Sequence, residues 1–517
     1  METAEVAIVG GGPVGLGLAI DLGQRGINVV LFEKYETIQP IPKGQNLTQR
    51  TGEHFQAWGI FERIKSTIKL PPKHGSGGAT AYGSLLGDYH YDWLVRSDVQ
   101  QYYAASNLRI PQYDQEAVLR ERAAELDTVT VHFNHRVERV EQTQDGVHLD
   151  VTDDFGATRR VSALYVVGCD GARSMVRESA GLTQSVRSNY RRMVLAVFRS
   201  DDLLSILERF PGKSYFNALS PDKEGYWQFF GSVDLGRWFF HTPVPEDSTE
   251  ETLDLSYHLA QAVGREIEFE TEYLGFWDLR IAIADHYRNG RIFIAGDAAH
   301  SHPPYGGYGV NNGYEDIRNL AWKLEASLRG WGSDALLDSY SRERQPVFDS
   351  TADDFIAQMI ESDRAFVAEY SPEKDKVAFE KAWAERAELT KRDVEQYCPN
   401  YAGSPIVTGG SGKTSAVGQH SHTARPGYLL SPKGDVTERL GSHFNLVTVG
   451  SHPDAVAAFR SRADALGIPL DVVEMPANEE TREWEADLIL LRPDRYIAAC
   501  GTGPADADAL ATAIARK

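Results

Sequence analysis

"EVAIVGGGPVGLGLAIDLGQRGINVVLFEK", residues 5–34, reads as a buried strand, a glycine-rich turn, a helix and a second strand. Gly10, Gly12 and Gly15 take the G-x-G-x-x-G positions directly after the apolar run Val6–Val9. The first glycine permits the tight turn, the second lets a pyrophosphate meet the backbone, and the third lets the helix pack on the strand. Pro13 and Val14 open the helix, whose free N–H groups and dipole favour a phosphate. Gly26 ends it, and the strand Val29–Phe32 closes on Glu33 and Lys34. An acid about 20 residues past the glycines can bind ribose hydroxyls. A glycine turn alone can arise by chance. With strand, helix and acid in register it predicts a bound dinucleotide.

The 517 residues leave room for about three domains. A hydrophobic content of 42% and a charged content of 25% suit a globular protein with large cores. The net charge of -21 argues against nucleic acid or an anionic membrane as partner. It leaves the substrate open, because a local basic pocket can sit in an acidic protein. No apolar run approaches the ~18 residues needed to span a bilayer. The glycine turn begins close behind Met1, so no signal peptide is expected. Cys169, Cys398 and Cys500 are too scattered for a disulfide framework or a metal site. A cytoplasmic location is the expectation.

Along the chain, residues 111–126 read as an amphipathic helix. Residues 128–171 alternate like an antiparallel meander with turns at Asp145-Gly146 and Phe155-Gly156. Residues 187–277 are strand-rich and aromatic, and residues 313–395 have helical periodicity. Residues 400–427 are a Gly/Ser/Pro-rich linker before a small α/β domain.

Two further stretches complete the pattern. "YVVGCDGARSMVR", residues 165–177, is a strand leading into Asp170-Gly171. "RIFIAGDAAHSHPPYGGYGVNNGYEDIRNLAWKL", residues 291–324, is a strand, Gly296-Asp297, an irregular loop and a helix. Together with the glycine turn, these resemble the three signatures of the single-component flavin-dependent aromatic hydroxylases, the group of para-hydroxybenzoate hydroxylase and phenol hydroxylase. The resemblance covers about residues 5–350. The last hundred or so residues resemble the thioredoxin-like domain of the phenol hydroxylase branch. Without a C-x-x-C that domain should not be redox-active, and packing or dimerisation is its expected role.

The resemblance implies an α/β fold with a Rossmann-type FAD-binding domain built from residues 1–72, 105–185 and 276–350. An antiparallel-sheet substrate domain (73–104 and 186–275) is inserted in it. A helical connection (351–400) and a thioredoxin-like domain (401–517) follow. The dinucleotide is then a resident FAD. Gly296 admits the ribityl chain, and Asp297 accepts hydrogen bonds from its hydroxyls. Pro303-Pro304 and Gly306-Gly307 force a loop whose backbone can lie against the isoalloxazine. The helix starting at Gly309, Val310 and Asn311 can stabilise negative charge at N1–C2=O. The family likeness brings Gln112, just before the helix that carries Leu119, to the FAD as well, and Arg50 to its pyrophosphate. Only one nucleotide fingerprint exists, so NADH or NADPH must bind without a Rossmann domain of its own. Arg173 and Arg177 are candidates for that contact, with ordinary salt bridges as the alternative.

"EGYWQFFGSVDLGRWFFHTPVP", residues 224–245, reads as a hairpin turning near Asp234-Leu235-Gly236. Alternation separates a Phe230/Ser232/Trp238/Phe240 face from a Phe239/His241 face. The resemblance favours the first face as the substrate wall. It also sets Ser232 where para-hydroxybenzoate hydroxylase has its carboxylate-clamping arginine, which weighs against a simple benzoate. Tyr215 and Asn217 could hydrogen-bond a phenol, and Tyr82, Tyr89 and Tyr91 lie in the segment that covers such a site. His241 and His300 are the histidines considered as proton relays, with a structural role the stronger reading for His300. The implied reaction is NAD(P)H-dependent hydroxylation of a phenolic or hydroxylated heteroaromatic ring by O2 through a C4a-hydroperoxyflavin. Alternatives are a Baeyer–Villiger oxidation or oxidative inactivation of a polyketide-type compound on the same fold, and a flavin-bound sensor or scaffold. A homodimer or higher homo-oligomer is left open.

Overall fold

The computed structural model describes residues 2–516, apart from the side chains of residues 188–190 and 224. Its first sheet is built on the strand Glu2–Val9, which lies parallel to Val29–Phe32 on one side and to Thr158–Gly168 on the other. Val129–His132 and Ile292–Ile294 extend the parallel array outward. Both faces of its centre are covered, which is why Val6–Val9 and Val29–Phe32 are continuously apolar. The expected meander is only partly right. Arg136–Gln142, Val147–Thr152 and Thr158–Gly168 do form antiparallel pairs. Val129–His132 instead follows the helix Gln112–Ala124 and joins the parallel sheet. A crossover helix delivers a strand in the parallel sense, whereas a tight turn cannot.

The second sheet runs in the order His300–Ser301, Glu270–Ala284, Gln184–Arg199, Arg237–Val244, Trp227–Asp234, Lys213–Leu219, Gly77–Tyr82, His90–Trp93. The hairpin closes with Asp234 opposite Arg237, as expected. One face of this sheet carries the helices Asp201–Leu207 and Leu255–Val263. The other faces the loop at Tyr305 and the helical run beyond residue 334. There the helix Asp334–Ser350 passes through a π-helical turn, Thr351–Ala357, into Gln358–Glu369.

Phe444–Val449 pairs in parallel with Leu470–Met475 and antiparallel with Leu488–Leu491, which pairs with Ile497–Gly501. This is the thioredoxin-like arrangement. The stretch 400–427 is not featureless, since Ser415–Val417 pairs with Tyr397–Asn400. Among the described residues no helix is long and apolar enough to cross a membrane.

Candidate active site

The three glycines of the first turn are required for three different reasons. Gly10 has φ +108°, and a Cβ there would collide with the Cys169 carbonyl. A Cβ on Gly15 would strike the Gly10 carbonyl, whereas one on Gly12 would meet nothing within 4 Å. Gly12 is therefore the face left open to a ligand. Pro13 stands at the first helical position, where its missing N–H costs nothing. Val14 packs against Gly296 and Gly313 and so ties this turn to the Gly-Asp motif.

Glu33 reaches back from its strand end and accepts the Gly11 N–H at 2.6 Å and the Tyr35 N–H at 2.9 Å. A cleft of about 130 Å³ follows, lined by Gly11, Gly12, Glu33, Lys43, Gln112 and Arg120. Gln112 donates to Glu116 at 2.6 Å. Lys43 and Arg120 were not legible beforehand, because nothing in local spacing marks their approach to the glycine turn. Lys34 lies exposed over the Tyr35 ring.

Arg50 is not in this cleft. Its guanidinium pairs with Glu315 at 2.7 Å and Glu53 at 2.9 Å, and donates to the Asp494 carbonyl at 2.5 Å. The helix Gln49–Ala57 starts just before it, and Glu53 on that helix and Glu315 already saturate it where it meets the Asp494 carbonyl.

At the second motif Gly296 has φ +60° and Asp297 is exposed, within electrostatic reach of Lys43 on the cleft wall. The surrounding walls desolvate the Asp297 carboxyl and raise its pKa, against the charges of His300 and Lys43. His300 is structural: its ring donates to Asp316 at 2.7 Å and stacks on Phe348 at 3.8 Å. Asp170 caps its own helix, accepting from Ser174 at 2.5 Å and from the Val176 N–H at 3.2 Å. Arg177 is committed to the carbonyls of Ala298 and Ala172, and Arg173 is exposed.

After Pro304, Gly306 and Gly307 both have φ +66°. The loop is pinned from outside. Arg96 donates to the Gly306 carbonyl at 2.8 Å, and Asn311 donates to Gly307 at 2.6 Å and to Asn46 at 2.8 Å. Asn311 also accepts the Thr48 N–H at 2.9 Å. Val310 borders Gly44, and Gly309 starts the helix with no side-chain cap on its N–H groups.

The substrate sheet corrects the choice of hairpin face. Phe230, Trp238 and Phe240 are packed with Phe198, Phe216 and Leu203 beneath the two helices, away from the loop. Ser232 shares that side, opposite Trp238, and donates to the Asp234 carbonyl at 2.8 Å. Residues directly opposite in a ladder share a face. Tyr215 lies opposite Gly231 and so beside Phe239, and Asn217 lies opposite Phe229 and so beside His241. This face looks to the loop: Trp227 stacks on Tyr305 at 4.7 Å and on Phe229 at 5.9 Å. Two amphipathic covers compete for a strand that is aromatic on both sides, and the helices Asp201–Leu207 and Leu255–Val263 took the even-numbered one. Tyr82, Tyr89 and Tyr91 are likewise occupied elsewhere, packed on Phe379 and Trp383 at 4.7 to 4.8 Å.

Several buried polar atoms at this junction have no hydrogen-bond partner among the described residues: Asn46 Nδ2, Arg109 Nε and Nη1, Tyr215 Oη, Asn217 Oδ1, His241 Nδ1 and Trp277 Nε1. Arg109 stacks on the Tyr215 ring at 3.8 Å. Burial lowers its pKa, and it has no carboxylate partner among the described residues. Buried polar groups are normally paired. The open side of Gly12, the Asp297 carboxylate, the uncapped helix at Gly309 and these unpartnered polar atoms fit an extended dinucleotide ending in a polar-edged ring.

The chain matches the family described as FAD binding domain over residues 3–354. It is 33% identical over 363 residues to a putative polyketide hydroxylase of Streptomyces halstedii, covering 67% of this chain and 63% of that one. To the 4-methyl-5-nitrocatechol 5-monooxygenase of a Burkholderia species it is 30% identical over 525 residues, covering 95% and 93%. The solved structure of the flavin-dependent monooxygenase PieE, in complex with FAD and substrate, superposes with a TM-score of 0.88 at 23% identity over 100% of this chain and 99% of that one. The chain belongs to the FAD-binding-domain family of single-component flavin-dependent aromatic hydroxylases.

Proposed function

We propose that the protein uses NADH or NADPH and O2 to hydroxylate a phenolic or hydroxylated heteroaromatic ring in the cytoplasm. The ring would lie on the Tyr215/Asn217/Phe229/Phe239/His241 face, against the loop Pro303–Tyr308. The observation that carries this reading is the set of orphaned buried polar atoms on an otherwise aromatic face. A ring with a hydroxyl would give Tyr215 Oη, Asn217 Oδ1 or His241 Nδ1 the partner that atom lacks, while aromatic walls exclude water and hold the ring plane.

Bound FAD supplies the redox and oxygen-transfer chemistry. Asp297 would hold its ribityl chain, Gly12 would admit its pyrophosphate, and the helix starting at Gly309 would receive negative charge at the ring's polar edge. Burial pushes the His241 pKa down to about 3. His241 is therefore a neutral hydrogen-bond partner at working pH, able to relay a proton without carrying a charge. A second reading, oxidation of a larger polyketide-type ring system, is favoured by the neighbouring cavity of about 400 Å³ and by the polyketide hydroxylase relative.

The test is a panel of phenols, hydroxypyridines and polycyclic phenols, scored for stimulated NAD(P)H oxidation and for product mass. Gain of one oxygen atom by a ring compound is the expected result. NAD(P)H oxidation that no ring compound stimulates would refute the reading and leave a sensor or scaffold.

A further inference from the structure

Arg109 enters the aromatic face of the substrate sheet from another part of the chain. Its short strand, Leu108–Arg109, pairs with Asn46–Leu47, and Asn46 borders Gly307 of the loop. The guanidinium lies 3.8 Å over the Tyr215 ring, which also stacks on Phe229 at 5.9 Å. Its Nη2 donates to the Ser232 carbonyl and to Gln45 Oε1 at 3.4 Å. Nε and Nη1 are buried without a partner, and so is the Tyr215 hydroxyl.

A guanidinium over a ring is held by the ring's π electrons, and a positive charge beside a phenol favours its ionised form. The groups that face Tyr215 from the elements packed on it carry no negative charge. Arg96, from the turn Arg96–Tyr102, is bound to the Gly306 carbonyl at 2.8 Å and to Asn46 Oδ1 at 3.3 Å. His241, two strands away, is kept neutral by burial. Burial raises the Tyr215 pKa, and the charges of Arg109 and Arg96 act against it. An acidified O–H with no acceptor of its own is a strong hydrogen-bond donor awaiting an oxygen.

We infer that Arg109 is a positioning residue for the ring reaction: lying on the Tyr215 ring, it polarises the Tyr215 O–H, which then donates to the oxygen of the bound ring's hydroxyl and favours that oxygen as its anion. The O–H bond that breaks is the bound ring's own. Its proton passes to solvent, and Tyr215 keeps its hydrogen. The anionic oxygen feeds electron density into the ring to be hydroxylated. The inference rests on the ring-hydroxylation reading above and adds the residue that sets the charge of the ring.

The test uses FAD-loaded protein and 4-nitrophenol, whose anion is coloured and whose neutral form is not, with the spectrum of the probe-free protein subtracted. Titration gives the pKa of the bound probe. Parent protein is expected to lower it by about 1 unit or more, the size of shift that a nearby opposite charge produces. R109Q should return most of that shift, about a tenfold change in the proton affinity of the probe. In a Y215F background R109Q should add nothing, because no O–H is left to polarise. R109M provides the same comparison should R109Q lose FAD. An R109Q effect of equal size with and without the Tyr215 hydroxyl overturns the inference and makes Arg109 a direct partner of the ring oxygen. A shift that survives R109Q overturns it too, and reduces the stack to packing. Where 4-nitrophenol does not bind, the ring that best stimulates NAD(P)H oxidation takes its place. Stimulated oxidation by a ring whose pKa the parent leaves unmoved refutes the role of Arg109 alone. If no ring binds or stimulates, the ring reading fails and the role of Arg109 with it.

Discussion

The carboxylate of Asp316 accepts the backbone N–H of Gly296 at 3.0 Å, so the Gly-Asp turn hangs from the interior of the helix Gly309–Leu328. The same oxygen takes the His300 ring N–H at 2.7 Å, and the other takes Arg344 at 2.8 Å. Asp316 and Arg344 are fully buried. Burial alone would raise the Asp316 pKa, but the charges of His300 and Arg344 hold it below the usual range. D316N should therefore destabilise the protein by about 3–5 kcal/mol, because Arg344 is left buried without its counter-charge. FAD should be released more readily as the turn loosens. Urea unfolding and an FAD titration measure both, and parent-like values in the two would refute the linkage.

D297A should weaken FAD binding by about 1.5–3 kcal/mol, the worth of hydrogen bonds to a charged acceptor. Because its surroundings raise the Asp297 pKa, parent protein should begin to lose FAD on acidification above the ordinary aspartate range. Equilibrium dialysis against pH reads this. Identical FAD affinity of parent and D297A at neutral pH would show that another group holds the ribityl chain.

The two hairpin faces should separate stability from coupling. F240A opens a cavity among Phe216, Phe230 and Trp238 and should cost about 3–5 kcal/mol of stability. F239A and H241A should retain FAD and still oxidise NAD(P)H, but divert turnover to hydrogen peroxide, since a displacement near 1 Å can cost roughly 100-fold in productive transfer. The ratio of hydroxylated product to NAD(P)H consumed decides. Full coupling in both F239A and H241A would return the ring to the opposite face.

Burial pushes the His241 pKa to about 3 and the His302 pKa to about 4, from an ordinary 6.5. The unfolded chain therefore binds protons between pH 6.5 and those values that the folded chain refuses. Stability is full above about pH 6.5 and falls as the pH drops through that window. Urea midpoints at pH 7.5 and 5 should differ, and the difference should shrink in an H241Q/H302Q variant. An unchanged difference would place the acid sensitivity in other groups.

The parts of the site that were legible in advance are those written in neighbouring residues. Gly15 is required by a collision and Gly12 by an opening within their own strand–turn–helix unit, while Gly10 is held against the Cys169 carbonyl of a neighbouring strand end. Gly296, Gly306 and Gly307 mark backbone with positive φ that other residues resist. Asn311, singled out for its place at a helix start, turned out to pin the loop itself. Arg50 misled because its chemistry suits a pyrophosphate, and only tertiary packing brings Glu315 and the Asp494 carbonyl to it beside Glu53 of its own helix.

The sequence by itself determined the dinucleotide turn, the parallel sheet around it, the Gly-Asp loop and the C-terminal α/β unit, because each is a local pattern of glycines and apolar periods. Tertiary structure decided which hairpin face meets that loop, since a strand aromatic on both sides satisfies a period of two either way. It also decided which cations stand at the cleft and against Tyr215. Lys43, Arg120 and Arg109 come from separate elements, and a charge brought in from far along the chain leaves no trace in the spacing of its neighbours.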